Sequence, residues 1–200
     1  PVYQSSAFYQ PSAEQHEKLF HNKATGFSYT RINNPTIFAF EERMTTLEGG
    51  IASVACASGM AAITNALLNI VTCGQEIVAS TSLYGGSIDV FHDFEAFGIK
   101  TVFVDISDVN AVEAAINENT RVIFAETIGN PKLDVVDIEA LAELAHQHNL
   151  PLVMDNTVAT AYLVKPIEKG ADIVVNSTSK YINGNSNAIS GVITESGRFK

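Results

Sequence analysis

The chain has 200 residues, 46% hydrophobic and 17% charged, which is enough for one domain with a full core. Its net charge of -10 argues against nucleic acid as a partner, because a phosphate backbone needs clustered Lys and Arg. No apolar run approaches the roughly 20 residues that span a bilayer, and no charged-then-apolar signal segment opens the sequence, so a soluble cytoplasmic protein without membrane partners is expected.

Residues 1–34 mix Gln, Ser, Asn and His with aromatics and hold no sustained period, which reads as an extended arm. Tyr3, Phe8, Tyr9, Phe20, Phe27 and Tyr29 are too many rings to leave in water, so the arm is expected to pack on a neighbouring subunit. After "NPT", residues 37–49 read as an amphipathic helix ended by Gly49 and Gly50. Then come a strand at 53–58, a helix at 59–71, a strand at 76–80 and a helix at 86–98 closed by Gly98. A strand follows at 100–105, a helix over 108–117 capped by Asp108, and a strand at 121–126. A helix at 137–149, strands at 151–155 and 171–177, and a further strand at 189–194 complete the series. Strands apolar throughout, separated by helices of about a dozen residues, imply an α/β domain with a mainly parallel sheet and flanking helices over 35–200. Cys56 and Cys73 match no metal-ligand spacing and are expected as reduced, buried thiols; no metal site is expected.

In such a sheet the ligand sits beyond the carboxyl ends of the strands. Those ends read "CASGM", "STSLYGGS", "ETIGNP", "MDNTVA" and "NSTSKY". There is no G-x-G-x-x-G and no phosphate-loop lysine motif, so neither a dinucleotide nor an NTPase site is supported. Ser58-Gly59-Met60, between strand and helix, offers free amides to a phosphate, or is a simple serine cap. Tyr84, beside two glycines, is a stacking ring or a turn-closing tyrosine. Asp155 ends an apolar run, so its carboxylate needs a protonated ring nitrogen, or else Thr157 and backbone donors. Lys180, just past a buried strand, is a desolvated amine nucleophile or a surface residue. Taken together they specify an aldehyde cofactor with a phosphate, an aromatic ring and a basic ring nitrogen, which describes pyridoxal 5′-phosphate.

The ordered series "YTRINNPT", "ASGMAAI", "LYGGS", "ETIGNP", "MDNTVAT" and "GADIVVNSTSKY" resembles the Cys/Met-metabolism pyridoxal-phosphate enzymes of fold type I, from one end of the chain to the other. That family includes the O-acetylhomoserine sulfhydrylases, cystathionine γ-synthase, the cystathionine lyases and methionine γ-lyase. The resemblance implies that Lys180 binds the cofactor aldehyde and later moves protons, and that Asp155 keeps the ring nitrogen protonated. It implies that Tyr84 stacks on the ring and assists proton transfer, and that the Gly59 and Met60 amides with the Ser177 and Ser179 hydroxyls hold the phosphate. Asn130 would contact the ring hydroxyl or the substrate carboxylate, and Thr157 would buttress the ring. Tyr29 and Arg31 would reach the phosphate of a neighbouring subunit, implying a dimer within a dimer of dimers.

"ETIGNP" and "LYGGS" look like the O-acetylhomoserine sulfhydrylase branch, implying γ-replacement with sulfide or methanethiol to give homocysteine or methionine. Cystathionine γ-synthase or a γ-lyase is the alternative within the family, and a non-catalytic α/β scaffold the alternative outside it. Asn185 and Asn187 depart from the family's more usual His and Asp and are expected to reshape the cleft mouth. The family's C-terminal domain has no counterpart in the chain, which is expected to be a segment of a longer protein and inactive alone.

Overall fold

The computed structural model describes residues 1–199. The chain forms two compact units, Pro1–Arg43 and Met44–Lys200. In the first unit the arm is not wholly extended. It contains helix α1 (Ala13–Phe20), capped by Ser12, whose side chain accepts from the Gln15 amide. An isolated bridge joins Ala7 to Tyr29, and the rings of Tyr3, Phe8 and Phe27 follow one another at centroid distances of 6.3 and 5.9 Å. This unit extends beyond residue 34 because helix α2 (Pro35–Glu48) is tied to the arm. Tyr3 N donates to Thr36 Oγ1 at 2.9 Å, Asn34 Nδ2 donates to Tyr3 O at 3.1 Å, and Phe27 packs on Phe38.

The second unit carries β1 (Ala52–Cys56), α3 (Gly59–Leu68), β2 (Glu76–Ser80), α4 (Gly85–Asp93), β3 (Lys100–Val104), α5 (Val109–Ala115) and β4 (Thr120–Glu126). It continues through α6 (Ile138–Gln147), β5 (Leu152–Asp155), α7 (Thr160–Leu163), β6 (Ile173–Asn176) and β7 (Gly191–Glu195). The helix expected over 86–98 stops at Asp93, and a 3-10 turn, Phe94–Phe97, leads to Gly98 at φ 72°. The seven strands lie in the order β1-β7-β6-β5-β4-β2-β3. β2 pairs in parallel with β3 and β4, as β5 does with β4 and β6, whereas β7 runs antiparallel to both β6 and β1. The sheet is therefore mainly parallel, and β1, β2, β4, β5 and β6 all end on the same side.

Successive strand residues face opposite sides, and both sides are covered. Val78, Ile123, Ala125, Leu152, Met154 and Val174 pack against Leu141, Leu144 and Ala145 of α6. Ile77, Ala79, Val122, Phe124, Val153 and Val175 pack against Ile63 and Leu67 of α3 and Phe91 of α4. The expectation of two buried thiols is corrected: neither cysteine forms a disulfide among the described residues, but Cys56 is half-buried and Cys73 is exposed on the turn after α3. Among the described residues no helix is long and apolar enough to cross a membrane.

A buried carboxylate ties the last turn of α2 to the sheet. Glu48, with no exposed surface, accepts from Asn176 Nδ2 at 2.8 Å and from Asn156 Nδ2 at 3.5 Å. Burial raises its pKa above the ordinary carboxylate range, against the hydrogen bonds from the two asparagines. Asn156 follows β5 and Asn176 closes β6, so one side chain holds two adjacent strand ends in line. Glu48→Ala strands the Asn176 amide in the interior and leaves a void, and is expected to cost about 2–4 kcal/mol in urea denaturation, with Glu48→Gln costing less.

Candidate active site

Beyond the shared edge of the sheet lies a cavity of about 870 Å3. It is lined by Ser58, Gly59 and Met60 after β1, by Tyr84 and Ser87 after β2, and by Glu126 and Asn130 at the end of β4. Asp155 and Thr157 at the end of β5, and Ser177, Ser179 and Lys180 after β6, complete the ring. Side chains expected from five strand ends thus share one hollow. A smaller hollow of about 540 Å3 opens elsewhere, around Asn117, Arg121 and His148. There Arg121 Nη1 is committed to the carbonyls of Glu118 and Thr120.

The serine-cap reading of Ser58-Gly59-Met60 is seen directly, and it does not compete for the amides expected to meet a phosphate. Ser58 caps α3, its Oγ accepting from Ala61 N at 3.1 Å, while the amides of Gly59 and Met60 precede any intrahelical acceptor. Gly59 lies against Ser177: a Cβ there would overlap Ser177 Cβ, so the helix start and the β6 turn meet only because residue 59 has no side chain. Ser177 N donates to Thr157 Oγ1 at 2.7 Å, and Thr157 N donates to Asp155 Oδ1 at 2.9 Å. Thr157 therefore links the β5 and β6 ends.

Asp155 is buried, and burial raises its pKa from the ordinary range against the hydrogen bonds from Thr157. Among the described residues no cationic side chain forms an ion pair with it. Lys180 does not share that burial. It is exposed, on a turn where its N–H donates to Ser177 O at 3.2 Å and its carbonyl accepts from Gly184 N at 2.9 Å. The desolvation expected from its place after a buried strand is absent, because β6 ends at Asn176 and the turn carries Lys180 out to the cavity rim.

Ser179 also differs from expectation. Its Oγ donates to Ser190 O at 3.1 Å and accepts from Ser190 N at 2.9 Å, closing the loop that carries Lys180. A phosphate contact from this hydroxyl requires its proton to be redirected. Gly184, Ser186, Ala188 and Ile189 of that loop line the cavity, while the exposed Asn185 and Asn187 are not among its lining. Tyr29 and Arg31 belong to the first unit, where the guanidinium carbon lies 5.1 Å from the ring centroid.

Among the lining residues that escaped the sequence reading, Glu126 and Ser87 are both buried and polar. Glu126, the Glu of "ETIGNP", is 5% exposed and accepts from Tyr84 N at 2.7 Å and Asn130 N at 3.1 Å. Burial first, then the neighbouring charges of Asp155 and Asp134, push its pKa up to about 7 against those two amide bonds. Its position at a strand end, equivalent to that of Asp155, was the available signal. Ser87, the Ser of "LYGGS", is fully buried and its Oγ has no hydrogen-bond partner.

The fold and the site together have the form of a domain that binds a ligand across the carboxyl ends of a mainly parallel sheet. The family model for Cys/Met metabolism PLP-dependent enzymes matches residues 1–200, and the chain belongs to that family. It is 46% identical over 200 residues to an O-acetyl-L-homoserine sulfhydrylase of Leptospira meyeri, covering all of this chain and 45% of that one. It is 44% identical over 195 residues to an L-methionine gamma-lyase of Fusobacterium nucleatum subsp. polymorphum, covering 96% of this chain and 49% of that one. A crystal structure from Campylobacter jejuni, described as an O-acetylhomoserine (thiol)-lyase and bearing N′-pyridoxyl-lysine-5′-monophosphate, superposes with a TM-score of 0.93 at 36% identity. That match covers 98% of this chain and 49% of the other. The chain spans about half the length of the relatives it matches.

The residues present fit the family's cofactor. The Gly59 cradle would be filled by any side chain, the Ser87 hydroxyl is buried without a partner, and a carboxylate and an amine line the same cavity. Because the folded-state pKa of Glu126 lies above the ordinary 4.5, the fold holds its proton more tightly than the unfolded chain does. The associated stability is full below the ordinary value and lost as pH rises through about 7. Urea denaturation of the cofactor-free protein is expected to show stability falling by on the order of 2–3 kcal/mol from this group between about pH 5 and about pH 8. Glu126→Gln should flatten that slope, leaving the same-sign contributions of Asp155 and Glu48.

Proposed function

We propose that the whole protein is a pyridoxal-phosphate-dependent O-acetylhomoserine sulfhydrylase, exchanging the γ-acetoxy group of O-acetylhomoserine for sulfide or methanethiol. The observation that carries this is the convergence of Lys180, Asp155 and Tyr84 from three strand ends on one cavity, in a chain 46% identical to a sulfhydrylase. Acetate leaves Cγ, a new C–S bond forms at the same carbon, and the products are homocysteine or methionine with acetate. The cofactor, when bound, supplies an aldehyde for the substrate amine and a ring that accepts the electron pair left on the α-carbon.

Lys180 would bind that aldehyde through Nζ and, once displaced by the substrate amine, take up the α-proton; its exposed position on the rim gives it that reach. Asp155, buried and without an ion-pair partner among the described residues, would hold a ring nitrogen protonated. Tyr84, half exposed at the N-terminus of α4, would stack on the ring; it lies over Gly86, where a Cβ would come within 2.6 Å of Tyr84 Cε1. The Gly59 and Met60 amides and the Ser177 hydroxyl would bind phosphate, joined by Ser179 if its proton leaves Ser190. Asn130 would meet the ring hydroxyl or the substrate carboxylate, and Thr157 would keep the β5 and β6 ends in register beneath the ring.

The arm, with Tyr29 and Arg31, is assigned to the phosphate of a neighbouring subunit in a dimer of dimers. The exposure of Tyr9 at 89% and Phe20 at 67% supports a partner for it. A cytoplasmic location accords with two cysteines that form no disulfide among the described residues. The 44% identity to a methionine gamma-lyase supports a second reading, γ-elimination, on the same residues.

Borohydride reduction of the whole, cofactor-loaded protein is expected to fix a pyridoxyl group on Lys180, detected by peptide mass spectrometry, and Lys180→Ala should abolish both the label and turnover. A colourless protein with Lys180 unmodified would overturn the proposal. Homocysteine formed from O-acetylhomoserine and sulfide supports replacement, whereas rapid 2-ketobutyrate release without a thiol supports elimination.

A further inference from the structure

Glu126 has a geometry that the reaction chemistry does not account for. It ends β4 beside Asp155, its register partner on β5, so two buried carboxylates stand next to each other. Asp155 faces the cofactor in the reading above, but the Glu126 oxygens are taken by main-chain donors on two different loops. Oε1 accepts from Tyr84 N, in the loop after β2, and Oε2 accepts from Asn130 N, in the loop after β4. Both residues are exposed, although their loops are held elsewhere too, by Thr81 N donating to Val104 O and Gly129 N to Asp134 O. Tyr84 is the N-cap of α4 and makes no side-chain capping bond, so the helix start is fixed by what its own amide meets.

Asn130 sits in a turn closed by Leu133 N to Gly129 O and Gly129 N to Asp134 O, and Ser82 Oγ donates to Asp134 Oδ1 at 2.5 Å. The two loops therefore touch at a second point, Ser82 with Asp134, and Glu126 holds the inner side of the same seam. A carboxylate suits the place because it offers two acceptors and no donor to two converging N–H groups. A glutamine of the same shape would turn an NH2 group toward one of them.

We propose that Glu126 is a positioning residue that clamps the Tyr84 loop to the Asn130 loop through their backbone amides, setting the width of the cofactor slot between the stacking ring and the Asn130 side chain. The proposal rests on the cofactor reading above for its effect on catalysis, though the clamp itself does not.

Glu126→Gln in the whole protein tests both. In the cofactor-free form, hydrogen exchange at one or both of the Tyr84 and Asn130 amides is expected to speed by roughly 10-fold or more, with the β4 amides of Ile123 and Phe124 unchanged. In the cofactor-loaded form, the visible circular-dichroism band of bound pyridoxal phosphate should fall to about half or less, and kcat by roughly 10-fold or more with KM within about threefold. Glu126→Asp, which keeps the charge but shortens the reach, should lie between. Wild-type exchange at both amides in Glu126→Gln overturns the clamp. Released amides with an unchanged band and kcat overturn its role in setting the slot. Should the wild-type protein carry no borohydride-fixed label on Lys180, the cofactor reading fails separately, and amide exchange still decides the clamp.

Discussion

Two carboxylates, Glu126 and Asp155, are buried side by side at the ends of neighbouring strands, and the rest of the site is arranged around meeting them. Burying such a group costs several kcal/mol unless donors or positive charge compensate. Glu126 is satisfied locally, by two backbone amides. Asp155 receives one amide from Thr157 and has no cationic partner among the described residues. The difference separates the roles we propose for them: one carboxylate organises the protein, and the other organises a ligand.

The sheet makes this arrangement inexpensive in other respects. Parallel pairing of β2, β4, β5 and β6 brings their ends to one side, and β7, running antiparallel between β6 and β1, sets β1 parallel to β6. Cys56 is then aligned with Gly191 and Asn176 with Val192, so the start of α3 lies beside the turn that carries Lys180. Glycine at 59 is what lets the two touch. Beneath them, Glu48 ties Asn156 to Asn176 from inside the core, while Thr157 and Ser190 tie the same region from the cavity side. Polar bonds thus cross between the strand ends on both levels.

The strands were legible in the sequence because both faces are apolar, and 76–80 was read with the bounds the structure has. The helices were legible where an apolar stripe meets the sheet, as in α6. Helix α1 was not, because it buries no residue: "AEQHEKLF" is set by the Ser12 cap, which leaves no core-facing stripe to read. That Lys180, Asp155 and Tyr84 would line one hollow was legible because each lies just beyond a strand end. The strand-end position of Glu126 was legible, but its bond to the Tyr84 amide, 42 residues away in sequence, was not. The Ser179–Ser190 bonds and the exposure of Cys73 were hidden for the same reason, since each depends on how a loop closes rather than on local composition.

We propose that Asp155 is held buried so that a bound cofactor keeps its ring nitrogen protonated. The most direct measurement is the 15N chemical shift of pyridoxal phosphate labelled at the ring nitrogen and bound to the whole protein. The account predicts a pyridinium shift that persists well above neutral pH and is lost in Asp155→Ala. A neutral-pyridine shift in the unaltered protein at neutral pH would contradict it.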